Sequence, residues 1–346
     1  MTHFTRAVRL CALTLMVTLF AVPARAQITE SERYASLVVE ADTGQVLLGF
    51  NADQLRHPAS LTKMMTLYIL FDAIREGRFG LNSPVRFSEA AATQPPSKLG
   101  IPAGESISVE TAILALVARS ANDVATAISE LLADDEETFA QMMTTRARSM
   151  GMTQTTFRNA SGLPDPEQIT TARDMATLGR RLFLDHPSRY HYFATQSFAH
   201  SGSVVRTRNH MLRDYPGADG IKTGYVNASG FNIVTSARRD GIRLVGVVFG
   251  GSTHTQRNAH MASLLDDGFE RMGVARLNTT VYTPPTSLLR QVSVRSATLR
   301  PLSVRVRNMP TRAERLAVPQ RNERSCSRER CRSSRVLPMP RPTRGS

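Results

Sequence analysis

The chain is 346 residues long, 41% apolar and 21% charged, with a formal net charge of +14 at neutral pH. That length supports a substantial hydrophobic core, and its three cysteines, Cys11, Cys326 and Cys331, leave the body without a disulfide framework. Charge is uneven, with a net +3 over residues 1–26, −1 over 27–289 and +12 over 290–346, so the basicity belongs to the C-terminal end and gives no reason to expect a nucleic-acid partner for the body.

Residues 1–26 read as a secretory signal: Arg6 and Arg9, an apolar run from Leu10 to Val22, then Ala24-Arg25-Ala26 at the cleavage positions. The run is shorter than the ~18 apolar residues a membrane span needs. The expected mature protein starts at Gln27 and resides in the periplasmic or cell-wall space. Ser36–Glu40 and Gln45–Gly49 then predict a β-hairpin turning through Asp42-Thr43-Gly44.

In His57-Pro58-Ala59-Ser60-Leu61-Thr62-Lys63-Met64-Met65, Pro58 sets the start of a helix expected to run from Ser60 to about Glu76. It is apolar nearly all round, which predicts a buried helix. Ser60 and Lys63, at i and i+3, share one face, so the lysine can take the hydroxyl proton if its pKa is pulled down. Arginine cannot give up a proton, and only three of the 43 basic residues are lysine: Lys63, Lys98 and Lys222. Ser-x-x-Lys alone is also the pattern of a capping serine followed by a solvated lysine.

A helical pattern from Ser108 to Leu132 breaks at Ala118–Asp123, where a turn would let Ser120 and Asn122 face one cleft. Asp134–Glu137 read as a solvated helix start, Phe157–Asp165 as a loop, and Thr171–Met175 as a helix opening capped by Thr170 or Thr171. Asp219–Tyr225 carries Lys222-Thr223-Gly224, a rare string in a chain with three lysines, and strands follow at Phe231–Ala237 and Leu244–Phe249 with a turn at Arg239–Gly241. Consecutive antiparallel strands would leave Lys222–Gly224 on or beside a sheet edge that a peptide can pair with. The histidine pairs 186/191 and 254/260 match no metal-ligand spacing and read as surface residues, and neither a metal nor another cofactor is expected. Past Gly273 short strand-like patterns appear at Gln291–Arg295 and Leu302–Arg307, and residues 310–346 are Arg-, Ser- and Pro-rich, a composition that predicts disorder.

Ser60-x-x-Lys63, Ser120-x-Asn122 and Lys222-Thr223-Gly224 form, in this order, the motif set of class A β-lactamases and penicillin-binding proteins. From about Tyr34 to Gly273 the chain resembles the low-molecular-mass penicillin-binding proteins that are D-alanyl-D-alanine carboxypeptidases. The likeness extends through Pro58–Thr66, Ser161-Gly162-Leu163, Thr171–Met175 and Asp219–Gly224. It implies an α/β fold of the α+β type, β-lactamase/transpeptidase-like: an antiparallel sheet with helices on both faces, an all-helical subdomain and a short basic C-terminal tail. The expected domains are 27–274 for catalysis, 275–309 as a β-like extension and 310–346 as a tail. The resemblance implies Ser60 as acylated nucleophile, Lys63 as its base, Ser120 as proton relay and Asn122 as holder of the substrate peptide group. It further implies Lys222, Thr223, Gly224 and Arg257 around the terminal carboxylate, and the N–H groups of Ser60 and Tyr225 as an oxyanion hole. The expected partners are the peptidoglycan stem peptide and β-lactam antibiotics, with the Arg-rich tail open to contact with anionic membrane or wall polymer. A β-lactamase, a D,D-endopeptidase and a sensor that acylates once use the same scaffold; class A β-lactamases deacylate with a glutamate, whereas here no acid falls between Glu137 and Asp165, and Glu167 sits in a loop the carboxypeptidases share.

Overall fold

A computed structural model describes residues 32–276. β1 (Ala35–Glu40) and β2 (Val46–Phe50) form the N-terminal hairpin, and a 3-10 turn over Ala59–Thr62 leads into α1 (Lys63–Arg75). Next come β3 (Pro84–Arg86), α2 (Glu89–Ala92), β4 (Ser106–Ser108) and α3 (Val109–Leu114). The last helix runs into a π-helical turn, Ala115–Arg119, followed by α4 (Asn122–Leu132), α5 (Glu136–Ser149) and α6 (Ala172–Asp185). A 3-10 turn at Tyr190–Ala194, the hairpin β5 (Ser197–His200) and β6 (Ser203–Arg206), and α7 (Met211–Asp214) precede three long strands. These are β7 (Ala218–Val226), β8 (Gly230–Arg239) and β9 (Ile242–Gly251), and α8 (His254–Arg271) closes the described chain.

The main sheet has the order β2-β1-β9-β8-β7, all pairs antiparallel, so β7 is an edge strand. β9, paired on both sides, is apolar on both faces. Leu244 and Val248 pack under α8 with Met261, Leu264, Leu265 and Phe269, whereas Val245, Val247 and Phe249 point into the larger core shared with the other helices. Period-two alternation thus feeds two cores, one on each side of the sheet. α1 lies within the larger core, flanked by α4, α5 and α6, and its residues 63–73 are all buried. An all-round apolar helix has this reason to exist, since every face meets protein.

Three sequence expectations need correction. Ser60 sits in the 3-10 turn, and the α-helix begins only at Lys63. Glu136 is not a solvated helix-start residue: Asp135 caps α5 by accepting the Thr138 N–H, while Glu136 turns inward and accepts the Ala160 N–H at 2.9 Å. His191 and His254 are exposed as expected, but His186 packs edge-on against Tyr68 at 4.7 Å and His260 packs against Tyr34. Burial pushes both buried imidazoles down to about 4. The cap of α6 resolves to Thr171, whose hydroxyl accepts the Asp174 N–H at 3.1 Å. The expected signal, the strands at 291–295 and 302–307, and nearly all of the extension and tail lie outside the described residues.

Candidate active site

A cleft of about 970 Å³ opens along the free edge of β7, bordered by the 3-10 turn, the Ser120 turn and the loop from Gly162 to Pro166. Ser60 stands half-buried at its floor, and its backbone is gripped from two sides. A Cβ on Gly162 (φ +84°) would lie 1.9 Å from the Ala59 carbonyl oxygen, and one on Gly224 would lie 3.0 Å from the Ser60 nitrogen. Both motif glycines are therefore there for close backbone approach. Ala59 itself is held at φ +51°, an unusual conformation for a side-chain-bearing residue.

The Lys63 Nζ is 3.2 Å from the Ser60 Oγ and donates to Asn122 Oδ1 at 2.8 Å and to the Ser161 carbonyl. A neutral amine has two N–H donors and one lone pair, and two carbonyl oxygens occupy the donors here. The lone pair is left facing the Ser60 hydroxyl. Lys63 is wholly buried, and burial first, then the charge of Lys222, hold its pKa well below the ordinary lysine value against the opposing pull of Asp123 and Glu136.

Ser120 follows the π-helical turn in the left-handed conformation, φ +61°, which breaks the helix and aims its side chain at the cleft. Lys222 Nζ donates to Ser120 Oγ at 2.9 Å and to the Thr223 carbonyl at 2.8 Å. Burial, with the charges of Arg208 and Arg257, pushes the Lys222 amine down to about 7. Asn122 fixes the far rim, donating from Nδ2 to the Pro95 carbonyl at 2.8 Å and from its backbone N–H to the Ser97 carbonyl at 2.6 Å.

Thr223, Gly224 and Tyr225 line the cleft from β7, the exposed Tyr225 ring lying 4.5 Å from that of Phe231. Arg257 on α8 is buried and donates to the Asn232 carbonyl at 3.0 Å, its guanidinium pushed down to about 10 by burial. All nine sequence-predicted residues thus meet at one cleft except that Lys63 and Lys222 sit just beneath its lining. Arg208 and His210 also line it and escaped the sequence reading, because Thr207-Arg208-Asn209-His210 carries no pattern that singles it out, and His254, read as a surface residue, lines it too. Glu167 is exposed, paired with Arg158, and outside the lining.

Residues 22–253 match the family described as D-alanyl-D-alanine carboxypeptidase. The chain belongs to this family, serine peptidases of the low-molecular-mass penicillin-binding type. It is 30% identical to the D-alanyl-D-alanine carboxypeptidase DacF of Bacillus subtilis over 79% of this chain and 72% of that protein. To DacA of Escherichia coli it is 34% identical over 69% of this chain, spanning 61% of that protein's length. Among solved structures it resembles penicillin binding protein 5 from Haemophilus influenzae, with 31% identity, a TM-score of 0.66 and 68% and 70% of the two chains covered. Penicillin-Binding Protein D2 from Listeria monocytogenes in its ampicillin-bound form matches at 27% identity and TM-score 0.60, over 68% of this chain and 96% of that one.

Proposed function

We propose that the chain removes the terminal D-alanine from peptidoglycan stem pentapeptides through an acyl-enzyme on Ser60. The observation that carries this reading is the buried Lys63 amine, held by the Asn122 Oδ1 and the Ser161 carbonyl with its nitrogen 3.2 Å from the Ser60 Oγ. Ser60 Oγ attacks the penultimate D-alanine carbonyl and its proton passes to Lys63. The C–N bond then breaks as Ser120 relays a proton to the departing D-alanine amine, giving up its own and regaining the one Lys63 took, with Lys222 holding the Ser120 oxygen, so that Lys63 is neutral again. Water hydrolyses the ester, restoring Ser60 and releasing the shortened peptide acid. The N–H groups of Ser60 and Tyr225 stabilise the oxyanion, a feature worth about 3–4 kcal/mol per donor. Asn122 holds the substrate's peptide group, and Thr223 and Arg257 meet the terminal carboxylate.

The edge position of β7 fits an extended peptide laid along Lys222–Tyr225. Penicillins imitate such a peptide, so β-lactams acylate Ser60 as well. The exposed, Arg158-paired Glu167 offers no deacylating carboxylate of the class A kind at the cleft, which favours the peptidase over the β-lactamase. Residues 1–26 serve as export signal, 27–274 as the catalytic domain, and the activity lies outside the cytoplasmic membrane. The test is twofold. Intact-mass spectrometry should show a penicillin adduct that Ser60→Ala abolishes, and a D-Ala-D-Ala peptide should release many alanines per chain; release that stops at one would make the protein a sensor instead.

A further inference from the structure

The acidic run at the start of α5 hides a carboxylate that the reaction scheme above does not use. Glu136 is half-buried, and its Oε1 accepts the Ala160 N–H at 2.9 Å. On the same short segment, the Ala160 carbonyl accepts from the Thr66 hydroxyl at 2.7 Å, and the next carbonyl, that of Ser161, receives the Lys63 Nζ. Thr66 and Lys63 are both buried residues of α1. The loop that steers the Lys63 amine is therefore tied to α1 on one side and to Glu136 on the other.

We propose that Glu136 is a positioning residue for acylation: it clamps the Ala160–Ser161 segment so that the Ser161 carbonyl orients Lys63, and its negative charge balances the ammonium that Lys63 becomes on taking the Ser60 proton. The inference rests on the Ser60–Lys63 reading given above. Charge is the part that a hydrogen bond alone would not supply. In the scheme, one proton moves from Ser60 Oγ to Lys63 Nζ, which places a cation in a wholly buried pocket already facing Lys222 on β7. The acids that act on Lys63 are Asp123 of α4 and Glu136 of α5. Asp123 is engaged by the backbone N–H groups of Leu99, Gly100 and Val124, which already share its charge. Glu136 in turn faces Lys63, the Thr126 hydroxyl and the like-charged Glu130, and burial raises its own pKa, so its ionised form is worth most when Lys63 is charged.

The sign of the expected effect follows. A negative charge beside Lys63 raises its pKa, so removing that charge lets the free amine persist to lower pH. One unit charge acting at close range in a protein interior shifts a neighbour's pKa by about one unit. Glu136→Gln keeps an oxygen to accept the Ala160 N–H but loses the charge. Penicillin acylation of Ser60, followed by intact mass across the pH range that the fold tolerates, should then show its acid limb moved to lower pH by about one unit, with the plateau rate lowered about tenfold because Lys63 has become a weaker base. Glu136→Asp retains the charge and should keep the wild-type limb even where its shorter reach slows the plateau. Glu136→Ala loses both charge and clamp and should fall below the glutamine variant at every pH. An acid limb in Glu136→Gln that coincides with the wild type overturns the inference, as does a shifted limb in Glu136→Asp. Should Glu136→Gln fail to fold, Glu136→Ala carries the charge test: an acid limb moved to lower pH supports the assignment and a wild-type limb refutes it. Failure of the wild-type protein to acylate at Ser60 would instead bring down the functional reading, which the wild-type arm detects separately.

Discussion

Lys63 and Lys222 each hold one serine of the cleft: Lys63 Nζ lies 3.2 Å from Ser60 Oγ and Lys222 Nζ lies 2.9 Å from Ser120 Oγ. Both amines are stripped of water; the charge of Lys222 adds to burial in lowering Lys63, while Arg208 and Arg257 add to burial in lowering Lys222. The pairing gives two lysine–serine couples, one suited to start the reaction and the other to finish it.

Lys63→Arg should lower penicillin acylation by about 10²–10⁴-fold, the span covered by a positioned proton acceptor, because a guanidinium does not yield its proton. Since the Lys63 side chain is wholly buried, the larger guanidinium should also cost about 1–3 kcal/mol of stability by overpacking. Acylation rates by intact mass and thermal unfolding measure the two effects, and a near wild-type acylation rate would show that the proton goes elsewhere.

Gly162→Ala should be far more damaging than an added methyl suggests. Its Cβ would sit 1.9 Å from the Ala59 carbonyl oxygen, a backbone atom that cannot swing aside, at a φ of +84°. The expected loss is about 3 kcal/mol or more, with Ser60 displaced and acylation impaired. A variant as stable and as reactive as the parent would contradict the close approach.

Stability should follow a dome in pH. Lys222 has an ordinary pKa of 10.5 when unfolded and about 7 when folded. Between those values the unfolded chain holds a proton that the folded chain lacks, so stability rises with pH. Lys63, also lowered, acts in the same sense. Tyr68 and Tyr192 act oppositely: burial, then contact with Asp185 and Glu110 respectively, raises them from 10.0 to about 12. The stability they lend is complete below 10.0 and is lost as pH climbs towards 12. Melting temperature should therefore climb above pH about 7 and turn down past about 10, with a shallower climb in Lys222→Met. A flat or falling profile between those two pH values would refute the assignment.

Deleting residues 310–346 should leave turnover of a soluble D-Ala-D-Ala peptide unchanged, since the residues lining the cleft run from His57 to Arg257. The same deletion should weaken salt-sensitive adhesion to anionic vesicles, because residues 290–346 carry a net +12. Loss of peptide turnover would mean that the tail contributes to the site.

Strong local patterns made much of the molecule legible in advance. The Asp42-Thr43-Gly44 turn, the all-round apolar α1, the break before Asn122 and the last two strands follow from period, turn chemistry and capping alone. Ser60, Lys63, Lys222, Thr223 and Gly224 were reachable because three lysines in a chain of arginines draw the eye to two motifs, whereas Ser120, Asn122, Tyr225 and Arg257 took the family resemblance to single out. Arg208 and Glu136 were not reachable. One is an arginine among forty, and the other sits in an acidic run whose members differ only in which way they face once Ala160 arrives from across the fold. His186 and His260 were misplaced for the same reason, as Tyr68 and Tyr34 come to them from distant parts of the chain.

Because β9 feeds one core with Leu244 and Val248 and the other with Val245, Val247 and Phe249, the sheet divides the protein into two territories that bear differently on the chemistry. On the α8 side, repacking around Met261, Leu265 and Phe269 adjusts heat tolerance and reaches the chemistry chiefly through Arg257. On the other side, the core encloses α1, whose first residue is Lys63 and which follows directly on the Ser60 turn. An engineer seeking a sturdier enzyme has latitude under α8, and one seeking a different substrate has to work against the packing of the opposite half.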